Sequence, residues 1–228
     1  PTVDADCDLV VDVSRGTTLE QNGARVYTVE HVLAALVSME IDNVLIQLDG
    51  PEPPIMDGSS IQFIEVLEDA GLEEQNALRR FFEVQETIQY KDPSREVEMV
   101  ALPASNYRVT VMVDYNSPVL GSQHASITDI SQFRSEIASC RTFCFLHELE
   151  MLYKSNLIKG GDLNNAIVVV DRIVEKEELA HLAKMFNKGP IVDWYRSAGL
   201  STESRIIRFT KERKPDSASK LSLLALGP

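Results

Sequence analysis

The sequence predicts an α+β fold, organised as two similar units, each a mainly antiparallel sheet packed with helices. Three observations predict it. Short β-like runs are followed by amphipathic helices, and this strands-then-helix plan occurs twice without a close repeat of residues. The helices fall to one side of mainly antiparallel sheets, which is the α+β arrangement. Apolar residues make up 44% of the 228 and charged residues 25%, so a chain of one or two domains can bury a sizeable core.

Residues 9–13 form a short β-like run and 14–18 a turn. Gln21-Asn22-Gly23 then leads into 24–27 as a hairpin-like arrangement. Thr28 is placed to cap the next helix, because its hydroxyl can accept an early helical N–H. Val29, Val32, Leu33, Leu36 and Met39 recur at helical spacing and predict one buried face. Glu30 in the first turn suits the helix dipole. Residues 43–48 alternate and are β-branched, which reads as a strand, broken at 50–54. Ser59 or Ser60 can cap a second helix running to Ala70, with Ile61, Phe63, Ile64 and Leu67 as its apolar face and Gly71 as its stop. Residues 73–77 read as a linker, which ends the first unit at 1–76.

The second unit, 77–188, opens with strands at 82–90 and 97–102 joined by a turn at Asp92-Pro93-Ser94. A third strand follows at 107–115 and a helix at 130–139. After these come a short strand at 142–145, a short helix at 148–155, a strand at 166–171 and a helix at 175–187. From about Gly189 the character changes. Residues 201–228 are rich in Lys, Arg and Ser in an otherwise acidic chain, so 189–228 reads as a divergent tail.

The formal net charge of -13 disfavours non-specific binding to nucleic acid or anionic lipid. Cys7, Cys140 and Cys144 form no CxxC pair. An odd count without a secretory leader points to reduced thiols in a cytoplasm. No apolar run approaches the roughly 20 residues that span a bilayer. The sequence opens at Pro1 without an initiator Met, which reads as a fragment.

The most informative stretch is Thr28-Val29-Glu30-His31, an acid beside an imidazole at a helix start. From spacing alone a histidine there is more often structural than a ligand, and the segment is not HExxH, because positions 34 and 35 are both Ala. Downstream come Ile41-Asp42-Asn43 and Pro54-Ile55-Met56-Asp57-Gly58-Ser59. Together these resemble the bacterial zinc-dependent UDP-3-O-acyl-N-acetylglucosamine deacetylases of lipid A biosynthesis. The resemblance runs from Pro1 to about Asn187.

The resemblance implies a two-layer α/β sandwich for each unit. It also implies a zinc cofactor, with Glu30 as the catalytic base and His31 as a metal ligand. Amide hydrolysis needs an activated water and a place for developing negative charge, and zinc supplies both. Glu136-Ile137-Ala138 followed by Arg141-Thr142-Phe143 is similar to the family stretch whose Thr hydrogen-bonds the oxyanion, which gives Thr142 that role. Read alone, Thr142 is a strand residue with a satisfied hydroxyl. Residues 143–170 resemble the family's β-α-β insert, a passage for the substrate's acyl chain. Phe143, Phe145, Leu149, Ile158, Leu163 and Val168 would line or support it, and Lys159-Gly160-Gly161-Asp162 matches the family's Gly-Gly turn. Ordinary core packing is the alternative for all six, and for Phe145 and Val168 the two readings weigh equally. Asn164 stands where the family usually has Asp. Asp57-Gly58-Ser59 implies a structural turn beside the His31 helix.

The family's other ligands lie in a His-Lys-x-x-Asp motif. Ile207-Arg208-Phe209-Thr210-Lys211-Glu212 is close to the segment before it, yet no His follows His181. His124, His147 and His181 fall outside the ligand motifs and read as surface or structural. The implied substrate is a UDP-sugar carrying an acyl chain, with no nucleic-acid partner and no transmembrane segment. Ser14-Arg15-Gly16-Thr17 and the Gly-Gly turn suggest the Bacteroidetes branch, where the deacetylase is often fused to a 3-hydroxyacyl-ACP dehydratase. The rival reading is a scaffold of the same family that lacks the remaining ligands and performs no catalysis.

Overall fold

A computed structural model of the chain describes residues 1–155, 165–172, 174–185 and 206–207. They form a mixed α+β fold of small sheets and a few helices. A 3-10 turn at Cys7–Leu9 leads into β1 (Val10–Asp12), which pairs antiparallel with β2 (Thr18–Gln21), and β2 pairs with β3 (Ala24–Val26). Asn22 and Gly23 both take positive φ at the β2–β3 turn, the geometry that a tight hairpin turn requires.

Helix α1 (Glu30–Ser38) buries Val32, Ala35 and Leu36, and α2 (Ile61–Ala70) buries Ile64. Ala35, Ile64 and Ala138 form one core cluster, with Met39, Ile61, Phe63, Leu67 and Phe133 packed against it. Gly71 ends α2 at φ +77°, and its N–H donates to the Leu67 carbonyl at 3.1 Å. A left-handed residue that no Cβ obstructs is the usual helix stop.

Two antiparallel hairpins follow. The first is β4 (Ile88–Asp92) with β5 (Val97–Ala101), and the second is β6 (Val109–Asp114) with β7 (Ser122–Ile127). A 3-10 turn at Ile130–Gln132 precedes the short helix α3 (Phe133–Glu136). Strand β8 (Phe143–Phe145), helix α4 (Leu146–Lys154) and strand β9 (Ile167–Val169) make a β-α-β arrangement in which β8 and β9 are parallel. Helix α5 (Lys176–Met185) follows, and β10 (Ile206–Ile207) adds to β9 antiparallel. A second core gathers Leu146, Leu149, Val168, Val170 and Leu182. Among the described residues no helix is long and apolar enough to cross a membrane.

Several local expectations are corrected. Residues 43–48 form no strand: Val44, Leu45 and Ile46 are exposed, Leu45 at 76%, and no described strand bonds alongside them. Alternation alone does not make a strand when no ladder partner is present. Thr28 does not cap α1. It takes φ +54°, Val29 occupies the cap position, and no side chain bonds there. The helix predicted over 130–139 is instead a 3-10 turn, opened by the Asp129–Gln132 capping box, and then α3; it ends at Glu136, where the Ile137 and Ala138 N–H groups both fold back to the Phe133 carbonyl. Strand β7 was not predicted. Within the tail, only Ile206 and Ile207 are described.

Candidate active site

Glu30 and His31 open the first turn of α1, both half-buried. The 14–17 loop lies against them. The Thr17 N–H donates to Glu30 Oε2 at 2.8 Å, and the Thr17 carbonyl accepts the Val29 N–H at 3.2 Å. One residue thus uses both backbone groups to fix the helix start and the carboxylate on it. Gly16 passes so close that a Cβ there would stand 3.2 Å from Thr28 Oγ1 and 3.3 Å from Glu30 Oε1.

Thr142 is held by its backbone. Its N–H donates to the Gly58 carbonyl at 2.7 Å, and its carbonyl accepts the Ile167 N–H at 2.9 Å. Its side chain is exposed. The Asp57-Gly58-Ser59 turn makes this seam. Asp57 Oδ1 accepts from the Ser59 N–H and hydroxyl, and the Asp57 carbonyl accepts Arg141 Nε–H at 2.5 Å. The Ser60 N–H donates to Ala138. Gly58 sits at φ +84°, and a Cβ on it would lie 1.9 Å from the Asn165 carbonyl oxygen. Beyond its sequence neighbours, the turn bonds to residues 138–142. The helix that follows it, α2, is what packs on α1 through Ile64 and Ala35.

No hydrogen bond joins Thr142 to Glu30 or His31 among the described residues. An ion pair connects their surroundings instead: Arg15 Nη2 to Glu148 Oε1, 2.6 Å. Glu148 Oε2 also accepts the Phe145 N–H at 3.0 Å, which caps α4. Burial by itself would raise the Glu148 carboxyl. The bonds from Arg15 and the Phe145 amide, with the nearby positive charge, outweigh burial and hold it below the usual carboxylate range.

Phe143 and Phe145 share one face of β8, as alternate strand residues do. The Phe143 ring meets Tyr115 edge-on at 5.4 Å and Phe145 at 5.9 Å, and Phe145 stacks on His147 at 5.4 Å. His147 Nδ1 lies 3.4 Å from Asp171 Oδ1. The opposite face carries Cys144 into the second core. Burial and then the Glu148 charge push its thiol up to about 11, so it is no nucleophile at neutral pH. Leu149 and Val168 are buried in that same core, where they support the strand from behind. Ile158, Gly161 and Leu163 lie outside the described residues.

His31 is of the right type for zinc, but a catalytic zinc usually takes three protein ligands. The only group of three suitable side chains among the described residues is Asp6, Cys7 and Asp8, which is exposed and excludes His31. The described residues therefore do not by themselves compose a zinc site.

Sequence reasoning missed Arg15, Glu148, Tyr115 and the stacking of His147. Position 148 carried a local signal, being a Glu three residues beyond the residue whose N–H it accepts. Its pairing with Arg15 crosses 133 residues and leaves no local trace.

Residues 1–186 match the family model described as UDP-3-O-acyl N-acetylglycosamine deacetylase. The chain is similar to the bifunctional enzyme LpxC/FabZ of Chlorobaculum tepidum, at 48% identity over 184 residues, covering 80% of this chain and 39% of that protein. The protein of the same name from Bacteroides thetaiotaomicron is 43% identical over 183 residues, 80% of this chain and 40% of its own length. The UDP-3-O-acyl-N-acetylglucosamine deacetylase of Acidithiobacillus ferrooxidans is 37% identical over 187 residues, 81% of this chain and 61% of its own. The chain thus spans between 39% and 61% of these relatives. With most of its length inside the family model, the chain belongs to the UDP-3-O-acyl N-acetylglycosamine deacetylase family.

Proposed function

We propose that the protein carrying this chain removes the N-acetyl group from a UDP-3-O-acyl-N-acetylglucosamine in lipid A biosynthesis, releasing acetate and the free amine. The observation that carries this reading is the Glu30–His31 pair on the first turn of α1, inside the matched region, with the Glu30 carboxylate held by the Thr17 amide. Glu30 accepts the proton of the attacking water. Thr142 donates its hydroxyl to the oxyanion. Zinc is the cofactor of this reading, with His31 as one ligand. When bound, it acidifies water and polarises the carbonyl.

Phe143, on the aromatic row of β8, contacts the acyl chain, together with Ile158, Gly161 and Leu163, while Leu149 backs it from the core. The intact fold in this reading is two similar two-layer sandwich units, 1–76 and 77–188, with the insert at 143–170 and a tail at 189–228. A fusion to a 3-hydroxyacyl-ACP dehydratase is supported by the bifunctional relatives. A cytoplasmic setting is supported by three free cysteines.

One observation favours a second reading, a family scaffold without metal: His31 has no companion ligands among the described residues. Zinc stoichiometry separates the two. About one zinc per chain, lost in His31→Ala, supports the hydrolase. In that case Glu30→Gln lowers kcat about a hundredfold or more with zinc retained. A zinc-free, folded protein sinks the hydrolase reading in favour of the scaffold.

A further inference from the structure

We infer that the Arg15–Glu148 ion pair positions the Glu30 carboxylate, by holding the 14–17 loop so that the Thr17 amide stays on it. This rests on the proposed role of Glu30 as base and adds Arg15 and Glu148 as positioning residues.

The place of the carboxylate depends on the loop. Thr17 bonds both Glu30 Oε2 and the Val29 amide, and a Cβ added at Gly16 would stand 3.3 Å from Glu30 Oε1. Ser14 bonds back to Asp12 Oδ1 at the end of β1, through its N–H at 3.1 Å and its hydroxyl at 2.5 Å. Among the described residues, Arg15 makes the loop's one hydrogen bond to any residue beyond position 30.

The far end of that bond is rigid. Leu146, Leu149 and Leu152 bury α4, and the second Glu148 oxygen is taken by the Phe145 N–H. Side-chain exposure is 40% for Arg15 and 21% for Glu148, so the pair is screened less than a fully exposed one. One carboxylate thus ties the base's loop to the backbone of Phe145, whose ring stands in the aromatic row. A displacement at Phe145 would reach Glu30 through three hydrogen bonds, from the Phe145 N–H to Glu148, from Arg15 to Glu148, and from the Thr17 N–H to Glu30. Positioning errors near 1 Å are costly in catalysis, so the link acts on the chemical step more than on affinity.

The test measures Thr17 amide hydrogen exchange in the whole chain, alongside steady-state kinetics on UDP-3-O-acyl-N-acetylglucosamine. Arg15→Ala and Glu148→Gln should each speed Thr17 exchange about tenfold or more, as a local opening does, while the Leu33 and Leu36 amides of α1 hold. Arg15→Lys, which keeps the charge, should fall between. The swapped pair R15E/E148R should restore protection. Kinetically, kcat should fall about tenfold to a hundredfold with KM within about twofold.

Unchanged Thr17 exchange in the single variants overturns the inference. So does a uniform rise along α1, which would mark a merely structural bridge. Active variants with wild-type kcat overturn it as well. If the wild-type protein deacetylates nothing, the proposed function fails instead, and the exchange data alone decide whether the pair holds the Thr17–Glu30 contact.

Discussion

Strand β9 and the hairpin strands β5 and β6 all carry several apolar residues and meet opposite fates. Val168 on β9 is 1% exposed, whereas Met99 on β5 is 59% and Met112 on β6 is 78% exposed. The parallel pair is spanned by α4 and shares its core with Leu182 of α5, so its side chains have a covering layer. The hairpins satisfy their backbone across one ladder each, but among the described residues Ile127 is their only buried apolar side chain. The apolar content of a strand therefore does not decide its burial. A covering element does, and only that burial contributes hydrophobic free energy.

The contrast predicts a graded series of stabilities, read by urea unfolding of the whole chain. Gly58→Ala should cost the most, about 4 kcal/mol, because it adds left-handed strain to a clash with the Asn165 backbone. A loss under 1 kcal/mol would mean that the seam yields easily. Leu149→Ala, 4% exposed in the second core, should cost about 3 kcal/mol through the cavity it leaves. Met112→Thr on β6 should change stability by no more than about 0.5 kcal/mol. A large loss there would show that the β6 face is covered in solution and would break the comparison.

Much of the helical content is legible in the sequence. Helices α1, α2, α4 and α5 lie within a residue or two of their predicted spans, because periodic apolar faces and the Gly71 stop are local signals. Strand β7 is not legible. Its Ser, Gln and His residues give weak alternation, and only Ile127 is buried. The expected strand at 43–48 fails for the converse reason, having the pattern without a partner. At the candidate site the Glu30–His31 pair is visible in its motif. The bond on the Glu30 carboxylate comes from the Thr17 backbone N–H, and the ion pair on the same loop joins Arg15 to Glu148 far along the chain; neither has a residue-type signature.

The separation of those partners also has a kinetic side. Arg141 and Asp57 stand 84 residues apart and Arg15 and Glu148 stand 133 apart. Closing such long loops costs chain entropy before any bond repays it, so these contacts form late. At about 5–20 residues per second of synthesis, the start of α1 waits roughly ten seconds for position 148 to be made. If the Arg15–Glu148 pair holds the 14–17 loop as inferred, the loop of the nascent chain is unmoored over that interval, and Glu30 takes its final place only after α4 has left the ribosome.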